Sequence, residues 1–190
     1  GAMSFINPLT ASAFLDISKK EGHKAILLTA AASSLGKMVN RLGRKEGIQV
    51  VNVVRRDAQV DLLKAQGVDI VLNSNDAGFE QQLHDVCHQT NTRIAFDAVA
   101  GPLTNQLLKA MPPNSKVTEF SALSRQEVQA NPGLLIFENK RIDSFWLGPW
   151  LSTQNVVKMM LLWKQAQKQI PSHLKSEIRK VYPLQEVKEA

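Results

Sequence analysis

The sequence predicts an α/β protein, a doubly wound parallel sheet of six strands in the order 3-2-1-4-5-6. Three observations predict it. Short apolar, β-branched runs alternate with longer helical patterns, as repeated βαβ units require. The run Lys24–Thr29 ends in a knot of small residues, Ala30–Ala31–Ala32–Ser33–Ser34, and a helical pattern starts there. The next apolar run closes on two arginines, Asn52–Val53–Val54–Arg55–Arg56.

Each element has its own warrant. Strands are expected at 24–29, 49–54, 69–72, 93–97, 115–120 and 141–146, where apolar and branched residues cluster. Helices are expected at 34–46, 57–66, 77–90 and 102–110, with one near 10–20 before the first strand and a long amphipathic one near 153–169 after the last. Gly47 and Gly67 fall just past helical patterns, where a left-handed C-cap belongs. Pro112–Pro113–Asn114 ends the helix at 102–110 and turns the chain into the fifth strand. Ile178–Leu184 reads as a short strand and turn, and Gln185–Ala190 as a helix begun and not finished, as in a chain cut short of its natural end.

Composition narrows the function classes. The chain has 190 residues, 44% of them hydrophobic, enough for one domain with a full core. No apolar run approaches the roughly 18 residues that cross a bilayer, so no membrane partner is expected. No signal peptide is visible, and Gly1–Ala2–Met3 reads as the remnant of an expression tag, leaving 4–190 as the domain. A single cysteine, Cys87, excludes an internal disulfide and fits a reducing cytoplasm. The net charge of +6 is dispersed and aromatic residues are 6% of the chain, so no nucleic-acid partner is expected. His84, Cys87 and His88 share a helix, but no fourth donor accompanies them, and a metal site is not expected.

The small-residue knot has the form of a dinucleotide-binding turn. In G-x-G-x-x-G register the three glycine positions are Ala31, Ser33 and Gly36, of which the last is kept. Small residues let the backbone approach a pyrophosphate, and amides at the helix start point at it. Ala32, Ser33, Ser34 and Leu35 are the candidate contacts, with backbone amides at Ser33, Ser34 and Leu35. Arg55 and Arg56 stand about twenty residues on, where an NAD enzyme keeps a carboxylate for the ribose hydroxyls. Arginine there pairs instead with a 2′-phosphate, so NADP(H) is the expected cofactor. Asp57 reads as the cap of a helix starting at 58.

Two further loops follow strand ends, where an open α/β crevice binds its ligand. They offer Ala98 and Val99 after the fourth strand, and Ser121, Ala122 and Leu123 after the fifth. Asp97 could cap the next helix or touch the cofactor. No catalytic acid or base stands out. Tyr182 is the sole tyrosine, and Glu186 occupies the position where a Tyr-x-x-x-Lys pair would need lysine.

From Asn7–Pro8–Leu9–Thr10–Ala11 to Tyr182–Pro183–Leu184, the chain resembles the cofactor domain, a Rossmann fold, of the medium-chain dehydrogenase/reductase superfamily. Ala31–Gly36 resembles that family's phosphate loop, and Asn52–Arg55 the NADPH-selecting strand end of its enoyl-thioester reductases. Leu134–Phe137, Phe145–Trp146–Leu147 and Trp150 resemble the segment near the nicotinamide in those enzymes and in quinone oxidoreductases, which adds Phe145 and Trp146 to the candidate cofactor contacts. The resemblance implies zinc-independent hydride transfer from NADPH to a quinone or an activated C=C. It implies a GroES-like catalytic domain before this one, and a homodimer seam at the sixth strand, residues 141–147. Ala100 and Ser121 depart from the family pattern, which favours glycine there. The competing reading is a non-enzymatic nucleotide-binding or dimerisation module with a degenerate phosphate loop.

Overall fold

The computed structural model describes residues 6–169 and 172–174. Six parallel strands form one sheet in the order β3-β2-β1-β4-β5-β6. They are β1 (Ala25–Leu28), β2 (Gln49–Val54), β3 (Val71–Asn73), β4 (Ile94–Asp97), β5 (Lys116–Glu119) and β6 (Arg141–Ser144). The predicted order and all six strands are present, most of them a residue or two shorter than the apolar runs. The strand and helix expected over 178–190 lie outside the described residues.

The two faces of the sheet carry different helices because each strand alternates its side chains. On one face lie α1 (Ile6–Lys20), α2 (Ser34–Glu46) and α3 (Asp57–Ala65), closing a core of Phe14, Ile26, Leu28, Met38, Leu42, Leu63, Ile94 and Phe96. On the other, α4 (Phe79–Gln89) and α5 (Pro102–Ala110) close a core of Leu27, Val51, Val53, Leu83, Cys87, Leu107 and Val117. Phe14 stacks on Phe96 with ring centroids 3.9 Å apart, which fixes α1 over the middle of the sheet. Gly47 ends α2 at φ 70°, the left-handed cap the sequence predicts.

Two short helices escape sequence reading. They are α6 (Pro132–Phe137) in the β5–β6 crossover and α7 (Leu147–Ser152) after β6. Each has six residues, too few for a periodic pattern to declare itself. The last helix, α8, runs Val156–Gln169 rather than from 153, because Thr153 and Asn155 belong to the turn that separates it from α7. No described helix is long and apolar enough to cross a membrane.

Asp57 corrects one expectation. Helix α3 begins at Asp57 itself, and Arg56 holds the N-cap position without a side-chain bond. The Asp57 carboxylate instead accepts from Asn73 Nδ2 at 2.7 Å, so it ties α3 to the end of β3 while its charge favours the helix start.

Candidate cofactor cleft

A cleft of about 400 Å³ opens over the carboxyl ends of the strands, within the size range of small-molecule sites. Thr29 and Ala30 line it just after β1, Val54 and Arg55 at the end of β2, and Ser74 just after β3. Val99 after β4, Leu103 at the start of α5, and Leu123 and Ser124 after β5 close it. This is the crevice at the topological switch point, where β1 is flanked by β2 and β4.

The turn after β1 is built by close approach. A Cβ on Gly36 would lie 2.1 Å from the carbonyl oxygen of Ala31, so no side chain fits there. Ser33 caps α2, its hydroxyl accepting from the Gly36 amide at 3.1 Å. The Ser33 amide donates to Ala30 O at 2.9 Å and so is already occupied by the turn. Ser34 and Leu35 are the first two residues of α2, whose amides have no acceptor within the helix. Of the three amides singled out in the sequence, these two remain open to an anion.

Ala30, not Ala31, takes the left-handed conformation in this turn, at φ 48°. The glycine register of the sequence passes over it, although it is the first small residue after the apolar run. An L-residue in this region costs about 1–2 kcal/mol, and glycine's extra unfolded freedom gives back part of that. Ala30→Gly is therefore expected to stabilise the chain by about 0.5 kcal/mol, raising Tm by roughly 1–2 °C in a thermal melt. A fall in Tm would show that the Ala30 methyl contributes packing that outweighs the strain.

Arg55 reaches the cleft wall with its backbone pinned at both ends. Its amide donates to Gln59 Oε1 at 3.1 Å and its carbonyl accepts from Asn75 Nδ2 at 2.9 Å. Arg56, exposed at the start of α3, lies outside the residues lining the cleft.

The loops after β4 and β5 are organised by Asp97. It is fully buried and accepts from Thr29 Oγ1 at 2.5 Å, the Val99 amide at 2.8 Å and the Ala100 amide at 3.1 Å. Thr29 Oγ1 in turn accepts from the Ala98 amide at 2.8 Å. Asp97 is thus neither the helix cap, a position held by Gly101, nor part of the cleft lining. It is the knot around which the loop folds, and it lets Ala100 hold φ 61° where glycine would be at ease. The Leu123 and Ser124 amides bond to Ala98 O and Val99 O at 3.0 and 2.9 Å, zipping the two loops together. Val99 and Leu123 thereby reach the cleft, whereas Ala98 is buried behind it and Ser121 and Ala122 stay exposed outside its lining.

Phe145 and Trp146 also lie away from the cleft, on the α1 side of the sheet. Phe145 packs edge-on against Phe14, centroids 5.1 Å apart, in the α1 layer. Trp146 is 78% exposed and lines a separate groove with Lys116, Thr118, Asp143 and Trp150. Neither lines the cleft, because they follow β6 onto the α1 side of the sheet.

His84 and His88 stack at 4.2 Å on the exposed side of α4, while Cys87 turns into the core. Burial pushes the Cys87 thiol up to about 12. Among the described residues, no group of three or more His, Cys, Asp or Glu side chains is placed to hold a metal ion.

Sheet order, crevice and capped turn together define a domain of the dinucleotide-binding α/β class. Residues 34–162, about two thirds of the chain, match the zinc-binding dehydrogenase family. The chain belongs to that family, within the medium-chain dehydrogenase/reductase superfamily. It is 38% identical to a Mesorhizobium loti structure provisionally named an NADPH:quinone reductase, with a TM-score of 0.89 over 97% of this chain and 54% of that one. It is 30% identical over 153 residues to the mitochondrial enoyl-[acyl-carrier-protein] reductase of Dictyostelium discoideum, covering 76% of this chain and 43% of that protein. The fold is shared with a complex of Etr1p, NADP and crotonyl-CoA, at 19% identity and a TM-score of 0.78 over 97% of this chain and 54% of that one. The chain thus spans about half the length of the proteins it matches, or less.

Proposed function

We propose that this chain is the NADP(H)-binding domain of a reductase that passes a hydride from NADPH to a quinone or to the activated C=C of an enoyl thioester. The carrying observation is the cleft at the strand ends, with Arg55 on its wall and Ala30, from the turn that leads into α2, in its lining. The likeness to an NADPH:quinone reductase and to enoyl reductases supports the same reading.

In it, the amides of Ser34 and Leu35 and the hydroxyl of Ser33 take the pyrophosphate, and Gly36 keeps the turn tight enough for that approach. Arg55 pairs with the 2′-phosphate, while Val99, Leu123 and Ser124 wall the cleft toward the nicotinamide. Bound NADPH supplies two electrons and a hydrogen as hydride, becoming NADP+, and a proton completes the reduced acceptor. The other wall of the substrate site, and the acid that gives that proton, belong to the GroES-like domain that the resemblance implies.

Two finer assignments go with this reading. Strand β6 stands at the sheet edge, preceded in the chain by exposed Ile136 and Phe137 and followed by exposed Trp146, and residues 141–147 form the seam where two copies extend the sheet. The reaction is zinc-independent and the compartment is the reducing cytoplasm, to which the single buried thiol is suited.

Calorimetric titration of the chain with NADPH and NADH tests the cofactor assignment. At least tenfold tighter binding of NADPH is expected from a charge-assisted pair at Arg55. Equal affinity, or tighter NADH, would overturn it.

A further inference from the structure

Glu119 ends β5 directly opposite Asp97 of β4, so the two carboxyl groups share one face of the sheet. Thr104 of α5 sits between them, donating to Glu119 Oε1 at 2.7 Å with Asp97 Oδ2 3.5 Å away. The other Glu119 oxygen, Oε2, is buried with no donor in reach. Asp97 meanwhile accepts from Thr29, Val99 and Ala100, and so can only receive a further hydrogen bond. A second carboxylate beside it would be an orphaned acceptor repelled by its neighbour. A carboxylic acid there would instead donate.

We propose that Glu119 is a positioning residue of the cofactor cleft: in its acid form it donates to Asp97 and holds the Ala98–Ala100 loop, so that binding of the anionic dinucleotide is linked to uptake of a proton. This role rests on the NADPH reading of the cleft. Burial first, and the Asp97 charge second, push Glu119 up to about 7, against a smaller opposing effect of the Thr104 bond. Asp97 is the charged group that faces it from β4, Thr104 faces it from α5, and Ser144 is its register partner on β6.

Above neutrality Glu119 loses its proton, and the like charges push apart around the bonds that fold the loop. Val99, which lines the cleft, is held by those bonds, and its carbonyl anchors Ser124 of the facing loop. A bound dinucleotide adds negative charge nearby and favours the acid form further. By linkage, protonation then favours the dinucleotide.

The sign for stability follows from the same shift. The folded chain binds more protons than the unfolded one between the ordinary value of 4.5 and about 7. Stability therefore falls as pH rises across that window and levels off above it.

The test compares the wild-type chain with Glu119→Gln, which keeps a donor and carries no charge. NADPH affinity is measured by calorimetry at pH 6.0, 7.0 and 8.5 in buffers of different ionisation enthalpy, alongside melting curves without cofactor. Wild type is expected to lose about three- to tenfold in affinity relative to Glu119→Gln between pH 6.0 and 8.5, and to take up protons on binding. Ionisation of the cofactor's own phosphate is common to both proteins and cancels in the comparison. Parallel pH profiles for the two proteins would overturn the proposal. If neither binds NADPH while the melting curves still diverge with pH, the cofactor reading fails, and the coupling with it. Should Glu119→Gln not fold, Thr104→Val serves: loss of the opposing bond is expected to move the affinity midpoint to higher pH, and an unmoved midpoint overturns the proposal equally.

Discussion

Alanine at position 36 is expected to cost the fold about 4 kcal/mol and to lower Tm by roughly 8–16 °C. The added methyl would stand 2.1 Å from Ala31 O, 2.6 Å from its carbonyl carbon and 2.7 Å from its Cα. All three are backbone atoms, so no rotamer change relieves the overlap. Either α2 must move off the turn or the turn must open. Moving α2 disturbs Met38, Val39 and Leu42, which are buried in the core shared with α1 and the sheet. That cost is a large share of a typical domain's 5–15 kcal/mol.

Two other glycines serve as controls for the same measurement. At Gly43 the methyl would meet Ile48 O and Val50 Cγ2 at 2.9 Å, and one of these can rotate, so a smaller loss is expected. At Gly78, the N-cap of α4, it would meet the end of the Gln82 side chain at 3.3 Å, and little change is expected beyond the small cost of replacing a favoured capping residue. Urea melts of the three variants should therefore rank Gly36 well below Gly43, and Gly43 below Gly78. A Gly36→Ala loss under about 1 kcal/mol would show that the close approach between strand end and helix is not part of the fold.

The ranking also marks what could be read from the letters alone. Gly36 was legible because its place, after an apolar run and at a helix start, has few physical explanations. The strand order was legible for a similar reason, since right-handed crossovers and alternating elements leave few ways to arrange six parallel strands. Ala30 was not, because alanine gives no sign of a left-handed backbone; that conformation is imposed by the turn. Asp97 was ambiguous between cap and ligand, since both are local roles. Its actual work spans Thr29 on one side and Ala100 on the other. Glu119 carried no signal at all, because its partner is brought opposite it only by strand register. Phe145 and Trp146 follow from the same limit. An aromatic pair after a strand does not say which face of the sheet it will serve, and here that face belongs to α1. What the sequence states well is periodicity and chain punctuation; what it leaves unstated is contact between residues far apart in the chain.

Arg55→Ala is expected to weaken NADPH binding by about 10- to 100-fold while leaving NADH within twofold. On the proposed reading the guanidinium would meet a 2′-phosphate as a fork of parallel donors against an anion, and hydrogen bonds to charged groups contribute about 1.5–3 kcal/mol. NADH has no phosphate there, so the same truncation removes little from its binding. Arg55 is exposed, and its backbone bonds to Gln59 and Asn75 do not depend on the side chain, so Tm should move by less than about 2 °C. Arg55→Lys keeps the charge and loses the fork, and an intermediate affinity is expected. Salt adds a further check: the advantage of NADPH over NADH should shrink as ionic strength rises, in the wild type more than in Arg55→Ala. Arg56 offers the matched control, since it carries the same charge one residue on and lies outside the cleft lining. Its alanine variant should keep most of the preference for NADPH, losing only a screened, longer-range attraction. If Arg55→Ala weakened both cofactors equally, the residue would be shaping the β2–α3 turn rather than reading the phosphate, and the preference for NADPH would need another cation.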